Sequence, residues 1–139
     1  MSLDMSAVKG LPEPKLEALI EMMFLAASAD GEFSDVEREH FAKSVESLTE
    51  GRIVGDALEQ LLRRAKQTLD ESDRLARLQS VKQRLPEPQA RTVALGLAIQ
   101  VAAADGIIRT SERELILDTA ETLEIDRDEA ADLVKALAG

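Results

Sequence analysis

Two segments of this chain are apolar around most of the circumference of a helix, and no other feature limits its fold as strongly. Met22-Met23-Phe24-Leu25-Ala26-Ala27 closes one helical segment, and Val93 to Ala104 is apolar apart from Gln100. A helix of that kind has almost no face to offer water and must be wrapped by other elements. The second run covers twelve residues, too few to cross a bilayer, and reads as a core helix. Two core helices therefore predict a bundle with both at its centre and amphipathic helices around them.

The remaining segments supply that shell. Apolar residues recur at spacings of three and four, and none alternates as a strand would. The spacing predicts about seven helices in a single all-α domain over residues 1–139, with residues 1–10 as a frayed start. The first helix follows Leu11-Pro12-Glu13-Pro14, with proline tolerated in the first turn, and Gly31 is placed to end it. Ser34 and Glu37 form a capping box for the second, whose inner face is Phe41, Val45 and Leu48. A third puts Val54, Ala57, Leu58, Leu61, Leu62, Ala65 and Leu69 on one stripe. Asp73 caps a fourth, with Leu75, Leu78, Val81 and Leu85 inward.

From Leu85 the pattern starts again. Leu-Pro-Glu-Pro recurs at Leu85 to Pro88, and Ala-Asp-Gly, Glu-Arg-Glu and the inner-face residues follow at a 75-residue offset. Ile116, Ala120 and Leu123 match Phe41, Val45 and Leu48, while Leu133 and Leu137 match Leu58 and Leu62. Asp126 and Glu129 form a capping box for the last helix. The chain is thus an internal duplication, residues 11–65 repeated as 85–137, with a predicted pseudo-twofold arrangement.

Composition removes several function classes. With no cysteine, disulfides, thiolate metal sites and a cysteine nucleophile are excluded. No secretory or transit pattern is present, and a cytoplasmic location is expected. A formal charge of −10 repels phosphate backbones and anionic membrane surfaces, and three Phe without Tyr or Trp leave little for base stacking. Neither nucleic-acid binding nor direct membrane insertion is expected. Gly51-Arg52-Ile53-Val54-Gly55 lacks the Gly-Lys-Ser/Thr of a phosphate-binding loop.

The repeated corner between helices carries the chemistry. Aligned with a calcium loop of the EF-hand kind, Asp30, Gly31, Phe33 and Glu37 fall on its fifth, sixth, eighth and twelfth positions, and Asp105, Gly106, Ile108 and Glu112 do so in the second copy. The first and third positions are Ala26 and Ser28, or Val101 and Ala103, so half of a calcium loop is missing. What remains is a group of oxygen donors: Asp30, Glu32, Asp35 and Glu37, with Asp105, Glu112 and Glu114 as a poorer copy. Oxygen donors suit calcium, magnesium or manganese better than a thiol-seeking metal; zinc is the remaining divalent candidate. The same residues also fit a purely structural corner, in which glycine turns the chain, aspartate binds backbone N–H groups and an early glutamate favours the positive helix end.

Ala-Asp-Gly-Glu-Phe-Ser-Asp-Val-Glu-Arg-Glu-His-Phe and Ala-Ala-Asp-Gly-Ile-Ile-Arg-Thr-Ser-Glu-Arg-Glu-Leu-Ile, each after an alanine-rich buried helix, resemble the repeated signature of the tellurite-resistance TerB-like family. That family also includes the N-terminal part of a membrane-anchored DnaJ-type co-chaperone. The resemblance spans about Leu16 to Leu137. It implies an all-helical fold with two central helices, no catalytic activity and an acidic surface that binds divalent metal. It also implies a role in tellurite, metal and stress responses through protein partners, membrane-associated ones among them. On this chain the motif positions are Asp30, Gly31 and Glu37, then Asp105, Gly106 and Glu112. Glu32 of the first copy faces Ile107 in the second, which leaves the second corner less acidic.

His40 stands three residues after Glu37, the spacing used in di-iron bundles, but the second copy has Leu115 there; an edge position on the packed face is expected. The basic density in Leu61 to Arg84, comprising Arg63, Arg64, Lys66, Arg74, Arg77, Lys82 and Arg84, reads as a solvated face or a docking surface for an acidic partner or second copy. Two functions stand open: a non-catalytic module responding to a divalent cation, or a scaffold whose acidic corners are structural.

Overall fold

The computed structural model describes residues 8, 10–29, 35–104 and 108–138. Among them lie seven α-helices and no strand: α1 (Glu13–Ala27), α2 (Asp35–Thr49), α3 (Gly55–Glu71), α4 (Arg74–Arg84), α5 (Pro88–Ala102), α6 (Thr110–Thr122) and α7 (Arg127–Ala138). None is long and apolar enough to cross a membrane.

The two apolar helices sit at the centre. Every residue of α1 from Ala18 to Ala26 is buried, and α1 packs on α5. In α5 the burial divides between two stripes. Ala90, Val93, Ala94, Leu97 and Ala98 join the cluster built around α1, while Leu95, Ile99 and Ala102 meet Ile116 and Ala120 of α6 and Ala130 and Leu133 of α7. This is why no polar face appears in its sequence. α2 and α3 pack on α1 as α6 and α7 pack on α5, and α4 joins α1 to α6. Lys15 pairs with Glu87, which brings the two Leu-Pro-Glu-Pro starts together.

Helix ends show how local chemistry sets the boundaries. α1 stops at Ala27, ahead of the expected Gly31: Ser28 leaves the helical conformation (φ −101°, ψ 7°), its N–H and hydroxyl both on the Phe24 carbonyl at 2.9 Å, and Ala29 N–H tightens onto the Ala26 carbonyl at 3.3 Å. Gly31, Ser34 and the first ten residues other than Val8 and Gly10 lie outside the described residues. α2 and α6 close differently from α1 and like one another. Gly51 N–H reaches the Glu46 carbonyl at 3.0 Å and Ile125 N–H the Ala120 carbonyl at 2.9 Å, with Glu50 (φ 53°) and Glu124 (φ 58°) left-handed between. Asp73 caps α4 by accepting from Ala76 N–H at 2.8 Å. Asp126 accepts from Asp128 and Glu129 N–H at 2.8 and 3.3 Å; the Glu129 carboxylate accepts instead from the Thr92 hydroxyl, so the expected box is half formed.

Three apolar positions expected inside are exposed. α3 begins at Gly55, so Val54 is extended and falls off the stripe at 40% exposure, and Ile53 takes the buried place. Ala57 is exposed beside Leu58, Leu61 and Ala65, which form a narrower seam than the sequence stripe. Leu75 is 54% exposed. Each step of three residues falls about 60° short of a full turn, so two such steps carry Leu75 about 120° around α4 from Val81.

The basic run on α4 also departs from a solvated face. Glu21, buried in α1 at 5% exposure, receives the Arg77 guanidinium on both oxygens at 2.6 and 2.9 Å, and Arg84 as well. Arg74 pairs with Asp118 at 2.6 Å and Lys82 with Glu124 at 2.5 Å. Of that run, Arg63, Arg64 and Lys66 on α3 are exposed, Arg63 and Lys66 pairing with Glu59 and Asp70 one turn away. Another unforeseen role falls to Arg91 of α5, which donates to the carbonyls of Leu85 (2.6 Å), Lys82 (3.2 Å) and Leu123 (3.4 Å). Those carbonyls lie at the ends of α4 and α6, where backbone partners run out; that of Lys82 also accepts from the Leu85 N–H at 3.3 Å.

Burial pushes the Glu21 carboxyl up, but the hydrogen bonds and charges of Arg77 and Arg84 outweigh it, holding the group below its ordinary value of 4.5. A lowered folded value makes the triad's contribution complete above about pH 4.5 and lost as pH falls through the folded value. Glu21→Gln is therefore expected to cost about 3–5 kcal/mol at pH 7, and its melting temperature should converge with that of the parent as both are titrated below pH 4.5. Parallel melting curves at constant separation down to pH 2.5 would contradict this. Glu50→Gly, which removes a side chain from a left-handed position, should raise stability by about 0.5–1 kcal/mol in urea unfolding.

Candidate functional site

The two acidic corners join α1 to α2 and α5 to α6. In the first, Asp35 and Glu37 stand exposed on the opening turn of α2, where the unpaired N–H groups favour negative charge. Asp30 and Glu32 lie outside the described residues, as does Asp105 of the second corner.

In the second corner, α6 starts after Arg109, and the Glu112 carboxylate turns back to accept from the Arg109 backbone N–H at 2.8 Å. The Arg109 guanidinium lies 3.8 Å from the same carboxylate. Glu112 is 6% exposed, so this carboxylate works inside the fold as a helix-start cap. Glu114, the remaining acid of that copy, is exposed. The repeated motif has thus diverged: Glu37 is exposed where its counterpart Glu112 is buried.

Among the described residues, no three His, Asp or Glu side chains converge as a metal-holding group. His40 is exposed on α2, next to the buried Phe41. The core turns inward at Phe41, one residue later, and a di-iron arrangement would need the Glu-x-x-His pair to project into the bundle.

The carboxylate with the most developed surroundings is Glu21, which motif spacing did not single out. Its signal was present: a charged residue inside the run Leu16 to Ala27 must find a cation when that run is buried. Which cation depended on α4 lying alongside. With both oxygens taken by guanidinium groups, Glu21 has the chemistry of a structural anchor and not of a proton-transferring group.

A family model described as tellurite resistance protein TerB matches residues 16–135. Neither the curated proteins nor the solved structures contain a significant match. The matched region takes in both central helices, both corners and the greater part of α7. The all-helical architecture, the duplicated Asp-Gly corners and this match agree, and the chain belongs to the TerB family of tellurite resistance proteins.

Proposed function

We propose that this TerB-family chain is a non-catalytic cytoplasmic module that takes up a divalent cation at its first acidic corner and relays that state to a protein partner in tellurite or metal stress. The observation that carries the reading is the divergence of the corners. Asp35 and Glu37 are exposed at the start of α2, while Glu112 is buried as a cap. Carboxylates at exposed positions on an opening helical turn are hard oxygen donors within reach of an ion from solvent, and Asp30 and Glu32 are their sequence neighbours. The formal charge of −10 adds a long-range attraction for cations. Calcium, magnesium and manganese fit such donors best, with zinc as the remaining candidate. The second corner, with Asp105 and Glu112, would contribute fold stability.

A second reading is favoured by that same Glu112 hydrogen bond: both corners are structural, and the chain is a scaffold read by a protein partner through its helix faces.

Thermal unfolding after chelation, with each ion added singly, separates them. At a hundred times its dissociation constant an ion adds about 2.7 kcal/mol, which for a chain of this size raises the midpoint by roughly 5–13 °C. Under the metal reading, Asp35→Asn with Glu37→Gln abolishes that rise. If no ion moves the midpoint of the parent, the scaffold reading replaces it. Glu112→Ala is expected to lower stability by about 0.5–2 kcal/mol with or without ions, as loss of a cap would; an effect confined to ion-loaded protein would place Glu112 in the ion site instead.

A further inference from the structure

Leu117 of α6 is 68% exposed, more than any other large apolar side chain among the described residues. Its place on the helix accounts for that. Leu115, Ile116, Thr119 and Ala120 are buried where α6 meets α4, α5 and α7, and Leu117 falls on the opposite side. A lone exposed leucine is ordinary on a protein surface; what sets this one apart is the charge one turn to either side of it. Arg113 precedes it by four residues and Glu121 follows it by four, both exposed, and neither has an ion-pair partner among the described residues. The three form one row along the helix, oppositely charged at its two ends. The next row, Glu114 and Asp118, lies on the side of α4, where Arg74 takes Asp118 at 2.6 Å. In the first repeat the same places hold Arg38, Ala42 and Glu46, with the alanine partly buried, so the exposed leucine belongs to α6 alone.

We propose that this row is a contact between two copies of the chain, packed about a twofold axis at Leu117. Such an axis between antiparallel helices sets the residue four places before it on one copy against the residue four places after it on the other. Leu117 then meets Leu117, and Arg113 of each copy meets Glu121 of the other, about 6 Å along the helix from the axis. Rows of residues four apart are the ridges that interlock in the commonest class of helix packing. Charge selects a second copy as the occupant. A face of one sign repels its own kind, whereas a row positive at one end, negative at the other and apolar between is complementary to its own reverse. Covering Leu117 also removes apolar surface from water. The net charge of −10 opposes the approach of two copies at long range, so the contact is weak and forms as concentration rises. This inference is independent of cation binding at the corners.

Sedimentation of the full chain tests the contact, over concentrations up to about 1 mM and in about 0.15 M salt, where the Debye length is about 8 Å. The parent is expected to pass from monomer to dimer. Leu117→Ser is expected to stay monomeric with the parent's melting temperature, since the side chain it shortens is exposed. Arg113→Glu and Glu121→Arg should each weaken association by about tenfold or more, the second even though it makes the chain less negative overall. Mixed in equal amounts, the two singly reversed chains should pair with one another, and a chain carrying both reversals should pair with itself, because each arrangement sets opposite charges together at both contacts. A parent that stays monomeric throughout, a dimer indifferent to these changes, or reversals that neither the mixture nor the double variant repairs would each overturn the twofold contact.

Discussion

The contact between α1 and α5 is the one on which the other elements depend. Both helices are apolar around nearly their whole circumference, so neither is stable in water alone, and burying one side against the other leaves the remaining sides to be covered. α2, α3 and α4 close over α1, while α6 and α7 close over α5. Each fully buried large aliphatic side chain is worth about 1.5–3 kcal/mol relative to exposure, and many of those here, Leu16, Leu19, Ile20, Met22, Leu95 and Ile99 among them, belong to these two helices. The driving force is thus concentrated along one central pair, and the outer helices contribute mainly by excluding water from it.

That concentration explains the electrostatics. A carboxylate in the middle of α1 loses its hydration on folding, and only close, hydrogen-bonded cations can compensate. Arg77 and Arg84 lie seven residues apart, two helical turns, on the same flank of α4, and both reach Glu21. The pairing orients α4 as well as holding it, because an apolar seam of three side chains would tolerate small rotations that a two-pronged guanidinium contact does not. Arg91 does comparable work at the helix ends, joining the terminal carbonyls of α4 and α6 through one side chain.

The duplication shows how one motif can serve two ends. Glu37 and Glu112 occupy the same place in the repeat, yet one is exposed and the other buried against the start of its helix. α6 is enclosed by α4, α5 and α7, whereas α2 packs chiefly on α1. An acid at an enclosed helix start is desolvated and must be hydrogen-bonded, as Glu112 is to the Arg109 N–H, whereas an exposed one keeps access to water. The reading of a duplicated acidic corner therefore divides by environment, which the motif itself does not encode.

Periodicity alone determined the all-helical class, the two central helices, the caps at Asp73 and Asp126 and the family signature, because these depend on residues within a few turns of one another. The candidate corner was legible as a pattern of donors, though not as an environment. Tertiary structure decided that Leu75 faces water, that Arg77 and Arg84 turn inward while Arg63 and Arg64 do not, and that Glu112 is enclosed. Nothing in the local pattern distinguishes those arginines. What separates them is a carboxylate fifty-six and sixty-three residues earlier in the chain, brought alongside only when α4 packs on α1.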